Sequence, residues 1–254
     1  MQKWEDYLRK GAFVVGTLLE QAIEKAGEIA SSIGRSASSV QPVLSLEGQL
    51  SVSKLKELIN KVADKMISAS IPNLVDKTSL EIREGASSLT AAFKERGASL
   101  TLHADMSGGG GSYGPPSDST SVRSLTSRLP FEDGFFDYVA GLYANQYQGD
   151  ILKTIKEFSR VLTISGEGVI VDFHPFGMYA KRGNVRLKPA ASTIRGVEDY
   201  YKICKASALR IVDLKESFLD ETARSLFISD AEKQAFQIVK QTPLLIYLFV
   251  KKGG

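Results

Sequence analysis

The sequence predicts an α/β fold built on a mainly parallel sheet, and three observations carry that expectation. Between Leu129 and Pro175 the pattern runs strand, helix, strand with short connections. That is a βαβ unit, and such units cross over right-handedly into parallel sheets. Within it, Gly168-Val169-Ile170-Val171 is a near-continuous apolar run, which suits a strand buried on both faces. On either side of this unit, short apolar runs alternate with helical spacing from Ser79 to Val250.

Taken in order, Trp4 to about Ala30 reads as an amphipathic helix, with Trp4, Leu8, Val15, Leu18, Leu19, Ala22, Ile23, Ala26 and Ile29 at helical spacing. A Ser-rich stretch from Ser31 to Ser39 breaks the pattern. A second helix runs from about Ser53 to Ile67, with Ser51 or Ser53 as N-cap and Pro72 just past its end. Ser79 to Ile82 is the first strand. Leu89, Ala92 and Phe93 mark the helix after it, ended by Gly97, and Leu100 to His103 is the second strand, with Asp105 just beyond. Ser107 to Ser121, rich in Gly, Pro and Ser, has almost no apolar surface to offset its ordering entropy and reads as a mobile surface loop. The third strand, near Val122 to Leu125, is expected to be short because Ser and Thr dominate there.

Phe131 to Gly134 then forms a turn, and Phe136 to Leu142 a strand. Ile151, Leu152, Ile155, Phe158, Val161 and Leu162 keep helical spacing, and Ser165-Gly166 is expected to stop that helix. Phe176 to Pro189 is a cationic loop with Tyr179, Lys181, Arg182, Arg186 and Lys188, readable as a solvated loop or as a substrate loop favouring an anion. Gly196 to Ala206 is a helix, Leu209 to Val212 the sixth strand, Glu221 to Gln241 helical, and Leu244 to Val250 the last strand.

The residues Leu129 to Phe131, Asp133, Gly134, Phe136, Asp137 and Val139, then Arg160, Val161, Leu162, Gly166 and Asp172, carry a resemblance. They resemble the fourth strand, following helix and fifth strand of class I S-adenosylmethionine (SAM)-dependent methyltransferases, of the methyltransferase type 11-like kind. The resemblance covers roughly Ser79 to Lys251. It implies a Rossmann-like, seven-stranded, mainly parallel sheet of order 3-2-1-4-5-7-6, whose last strand inserts antiparallel between the fifth and sixth. It divides the chain into an N-terminal helical extension or cap, residues 1–74, and a methyltransferase-like α/β domain, residues 75–254, with a flexible loop over 107–121.

What the resemblance implies for the cofactor falls on Glu81, Arg83, Gly85, Asp105, Leu125 and Leu142. In the family a loop of the type (D/E)xGxGxG lets the backbone approach the methionine part of SAM, and an acidic residue after the second strand takes the ribose hydroxyls. This chain reads Glu81-Ile82-Arg83-Glu84-Gly85-Ala86-Ser87. Glu81 and the middle glycine, Gly85, match; Arg83 and Ser87 replace the flanking glycines. Asp105 fits the ribose role, while Leu125 stands where the family often has an acidic residue at the adenine edge. If the site takes SAM, Arg83 turns out of the pocket or pairs with the cofactor carboxylate. If it does not, the side chain is expected to fill the methionine pocket, paired with Glu81 or Glu84.

Chemistry is sought at the ends of the fourth and fifth strands, at Tyr143, Asn145, Gln146, Asp172 and His174. Tyr143 and His174 are the catalytic candidates, and His174 is a candidate base because its intrinsic pKa lies near neutrality. A structural, hydrogen-bonding His174 is the competing reading. Two functions follow: SAM-dependent methyl transfer to a small-molecule acceptor, or a catalytically inactive methyltransferase-like binding or scaffold subunit that has lost SAM. A nucleotide- or NAD-binding α/β protein ranks below both, because no full glycine fingerprint is present. A net charge of +3 argues for neither nucleic-acid nor membrane-surface binding. One cysteine and two histidines cannot make a dedicated zinc site, and no metal is expected. Partners other than a small molecule would be a protein, or a second copy through the N-terminal helices. The apolar segment Gly11 to Leu19 is too short for a membrane span and lacks signal-peptide flanks, so a cytoplasmic protein is expected.

Overall fold

The computed structural model describes residues 44–45, 52–107, 120–125, 127–144, 150–175, 181–182, 185–186 and 195–253. The expected helix over Trp4 to Ala30, most of the Gly-rich loop and most of the cationic loop lie outside these. Seven strands form one sheet: β1 Thr78–Arg83, β2 Leu100–Asp105, β3 Ser121–Arg123, β4 Phe136–Leu142, β5 Leu162–Phe173, β6 Leu209–Phe218 and β7 Pro243–Lys252. Their order is 3-2-1-4-5-7-6, and β7 alone runs antiparallel. Phe249, Leu248 and Tyr247 of β7 lie opposite Val169, Ile170 and Val171 of β5. Strand β3 is three residues long, as its Ser/Thr content predicts. A separate ladder joins the two-residue strands Leu44–Ser45, Lys181–Arg182 and Val185–Arg186.

The central strands are buried on both faces. Leu80, Ile82, Val139, Ile170, Ile246 and Leu248 face helices α3 (Ile151–Val161) and α4 (Val197–Ala206), where Ile155, Phe158, Tyr200 and Cys204 meet them. Tyr138, Ala140, Leu142, Val169, Val171 and Tyr247 face the other way. There they meet Leu58, Ile59 and Ile67 of α1 (Val52–Ser70), Phe93 of α2 (Thr90–Glu95) and Phe236 of α5 (Asp230–Val239). Gly168 is required by this packing: a Cβ there would stand 2.4 Å from the Val139 carbonyl and 2.7 Å from Phe158. An added methyl at such a site costs about 1–3 kcal/mol.

The residues that carry the family resemblance are a structural clamp. Arg160 on α3 donates to the carbonyls of Leu129 (3.0 Å) and Phe131 (2.7 Å) and to the carboxylates of Asp133 (2.7 Å) and Glu157 (2.8 Å). Glu157 in turn accepts from the Leu129 N–H at 2.8 Å. The turn before β4 is thereby tied to the helix after it. Asp137 does the same at the start of β1, accepting from the N–H of Thr78 at 2.9 Å.

Several boundaries differ from expectation. Helix α3 ends at Val161, and Ser165-Gly166 lies inside β5, where four residues loop out between the pairs Phe136–Leu162 and Tyr138–Glu167. The left-handed φ of +71° at Ser165 marks that bulge. Asp105 is the last residue of β2, not the residue past it. Ser53 lies within α1, so it is no N-cap. The helix expected over Glu221 to Gln241 is a 3₁₀ turn, Glu221–Leu226, followed by α5. A capping box divides them: Ser229 Oγ accepts from the Glu232 N–H, and Glu232 accepts from the Ser229 N–H at 2.8 Å.

Candidate functional site: a buried cation at the carboxyl end of the sheet

Strand β1 alternates Leu80 and Ile82 toward α3 with Ser79, Glu81 and Arg83 toward α1 and α2. Strand β2 lies in register beside it, so His103 sits level with Glu81 and Asp105 with Arg83. Glu81, Arg83, His103 and Asp105 therefore gather at one end of one sheet face, the carboxyl end of the parallel strands, where open α/β sheets bind ligands.

Glu81 is 1% exposed and fully engaged. It accepts from Ser87 Oγ (2.5 Å) and from the N–H groups of Ser88 (3.3 Å) and Leu89 (3.1 Å), which pins the loop between β1 and α2. Arg83 Nε lies 2.5 Å from Glu81 Oε1. The far end of the Arg83 guanidinium donates through both terminal nitrogens to Asp64, on α1. Arg83 is 2% exposed and among the largest fully buried side chains of the molecule. A cation buried this deeply is tolerated because two carboxylates neutralise it from opposite ends.

Helix α1 holds the same loop at two further points. Ser88 Oγ donates to Asp64 at 2.8 Å, and Lys56 pairs with Glu84. Glu84 is thus committed to Lys56, and Asp64 is the second partner of Arg83. Nothing in the sequence marks Asp64, which lies nineteen residues upstream of Arg83 and outside the resembling segment.

Gly85 has a φ of +87° with open space where a Cβ would point, the conformation its place in the loop requires. Its N–H donates to Asp105 Oδ1 at 2.9 Å, and Ser107 donates to the same oxygen through its N–H and hydroxyl. Burial alone would raise the Asp105 carboxyl, but the hydrogen bonds from Ser107 and Gly85 outweigh it and hold the group below its ordinary value. Beside it, burial pushes the His103 imidazole below its usual value against the upward pull of Glu81 and Asp105. His103 Nδ1 meets Ser121 Oγ at 2.9 Å.

The remaining sequence candidates are dispersed. Leu125 is 56% exposed and bridges to Arg128 across a tight turn. Leu142 ends β4 inside the core on the α1 face. Tyr143 folds back over Gly141 on the α3 face, and burial pushes its hydroxyl far up. Asp172 is buried beneath α4, accepting from Tyr200 Oη and lying 3.8 Å from the Arg195 guanidinium. His174, also buried, has Nε2 2.7 Å from Glu216 Oε1 of β6. Of the eight site residues read from the sequence, Glu81, Arg83, Gly85 and Asp105 come together. Leu125 is exposed past β3, and Leu142, Tyr143 and His174 lie at the ends of β4 and β5. Asn145 and Gln146 lie outside the described residues.

No protein-family model and no curated protein sequence matches the chain. Solved structures do match it. A protein of Listeria monocytogenes assigned as a SAM-dependent methyltransferase superposes with a TM-score of 0.54 at 14% identity, over 76% of this chain and 99% of that one. A SAM-dependent methyltransferase of Mesorhizobium loti gives a TM-score of 0.54 at 17% identity, over 76% and 99%. A chain from the complex between the Haloferax volcanii Trm112 methyltransferase activator and its assigned methyltransferase gives 0.53 at 14%, over 80% and 92%. The fold of this protein is that of the SAM-dependent methyltransferases.

Proposed function

We propose that this chain is a methyltransferase-like binding subunit, in which an internal cation has taken the place of the cofactor's amino-acid half. The observation that carries the reading is Arg83. Its side chain stands where the resemblance puts the first glycine of the SAM loop, is 2% exposed, and is held between Glu81 and Asp64. SAM brings a cationic ammonium and sulfonium to such a cleft. Here the carboxylate nearest the loop is already neutralised, and the backbone freedom of a glycine is absent. With Arg83 so placed, the residues present do not fit the methionine part of SAM.

The Haloferax neighbour was solved with an activator protein, which supports a protein partner as the ligand class. The N-terminal extension, residues 1–74, is the proposed docking element, since its described helix α1 already grips the loop after β1.

A second reading, SAM-dependent methyl transfer to a small-molecule acceptor, is favoured by two features. Asp105 still ends β2 where a ribose would lie, and the His174–Glu216 pair at the end of β5 suits a base. Calorimetric titration of the full chain with SAM and S-adenosylhomocysteine separates the readings. The binding-subunit reading expects no saturable heat with either ligand at millimolar concentration. A micromolar affinity for SAM would overturn it.

A further inference from the structure

Among the described residues, strand β6 is the outer strand of the sheet, with β7 as its one ladder partner. It is ten residues long, whereas the opposite edge, β3, has three. Long exposed edges are templates for another strand. Three of its apolar side chains reach solvent: Val212 at 44%, Leu214 at 37% and Phe218 at 42%.

Along the edge Val212-Asp213-Leu214-Lys215-Glu216, Asp213 and Lys215 are complementary when the order is reversed about Leu214, and Glu216 falls opposite Val212. A two-fold axis there sets Leu214 against Leu214 of the second copy. It also sets Asp213 against Lys215 of the second copy, and the reverse, giving two opposite-charge pairs at direct cross-strand distance. Shifting the axis to Asp213 would place two carboxylates face to face, and shifting it to Lys215 two ammonium groups. Like charges directly opposite one another destabilise a strand pair, so the axis at Leu214 is favoured over those at Asp213 and Lys215. Asp213 Oδ1 now accepts from the Leu214 N–H at 2.8 Å, a contact that pairing would exchange for a backbone carbonyl of the second copy.

We propose that a second copy of this chain pairs antiparallel along β6, with the two-fold axis at Leu214, and joins the two sheets into one. The interface is isologous and closed, so the assembly stops at a dimer. It uses no residue of the cleft and stands whether or not the cleft binds SAM.

Sedimentation equilibrium of the full chain tests this. The wild-type protein is expected to show a monomer–dimer equilibrium. Asp213→Lys and Lys215→Asp are each expected to weaken it about tenfold or more, since each sets like charges opposite. The double variant restores both pairs and with them the wild-type affinity. Lys215 also donates to Ser70 Oγ and lies over the Phe249 ring, so a variant that melts early is replaced by hydrogen exchange on the wild type. There the outward-facing amides, that of Leu214 among them, are expected to slow as concentration rises. A monomer at every concentration, singles that dimerise like wild type, or a double variant as weak as the singles would each overturn the proposal. So would amide exchange that does not depend on concentration.

Discussion

Replacing Arg83 with glycine removes the cation proposed to close the cleft and separates its structural from its blocking role. Breaking a buried ion pair from one side costs about 3–5 kcal/mol, because the remaining charge is left uncompensated. Two features lower that figure. Glu81 keeps its three donors from Ser87, Ser88 and Leu89, and the Asp64 side chain, 26% exposed, can rehydrate. One feature raises it, since glycine in a strand costs about 0.5–1 kcal/mol. The net expectation is a loss of about 3–4 kcal/mol, or about 10 °C in melting temperature for a domain of this size. If Arg83 is the block, the variant gains a site as it loses stability. SAM at a hundred times its dissociation constant would then stabilise the variant by about 2.7 kcal/mol. Differential scanning fluorimetry of both proteins, with and without SAM, reads all of this in one experiment. A wild-type protein that SAM stabilises would refute the reasoning. So would a variant that melts with the wild type, or one that SAM fails to stabilise.

Three further outcomes are expected. Arg160→Ala removes five hydrogen bonds of the clamp that ties the turn before β4 to α3, and should cost about 2–3 kcal/mol in urea unfolding with an unchanged slope. The Glu232 carboxyl is held down to about 2 by Lys54 and by the N–H groups of Ser229 and Ile228. A depressed carboxylate stabilises the fold above its unfolded pKa, so this contribution is lost as pH falls from about 4.5 toward about 2. Glu232→Gln should flatten that part of the stability–pH curve, and an unchanged acid limb would contradict the assignment. Burial pushes the Cys204 thiol up to about 11. The native protein should therefore resist a thiol reagent at pH 8 and react on unfolding; rapid native labelling would show that α4 opens.

The strand order was legible because the central strands carry apolar runs, and because the Leu129–Asp133 turn and Arg160 are bound to each other in sequence pattern as they are in space. Edges were less legible. Strand β6 extends to Phe218, six residues past the expected end at Val212, because Asp213, Lys215 and Glu216 face solvent and read as a loop. The break before α5 was written in Ser229 and Glu232, a capping box hidden within a charged stretch. At the carboxyl end of β1 and β2, the residues at 81, 83, 85 and 105 were singled out in the sequence and lie together in the structure. Whether Arg83 points in or out depends on Asp64, a helix residue whose distance in sequence carries no signal of its position in space.

The most direct test of the closed cleft is a ¹H–¹⁵N spectrum of the wild-type protein, with the Gly85 amide and the Arg83 Nε–H followed as S-adenosylhomocysteine is added. Gly85 N–H is committed to Asp105 and Arg83 is buried between two carboxylates. Both signals are expected to stay in place up to millimolar ligand. A saturable shift of Gly85, accompanied by movement of the Arg83 signal, would mean that the cation yields to the cofactor and that the cleft is open.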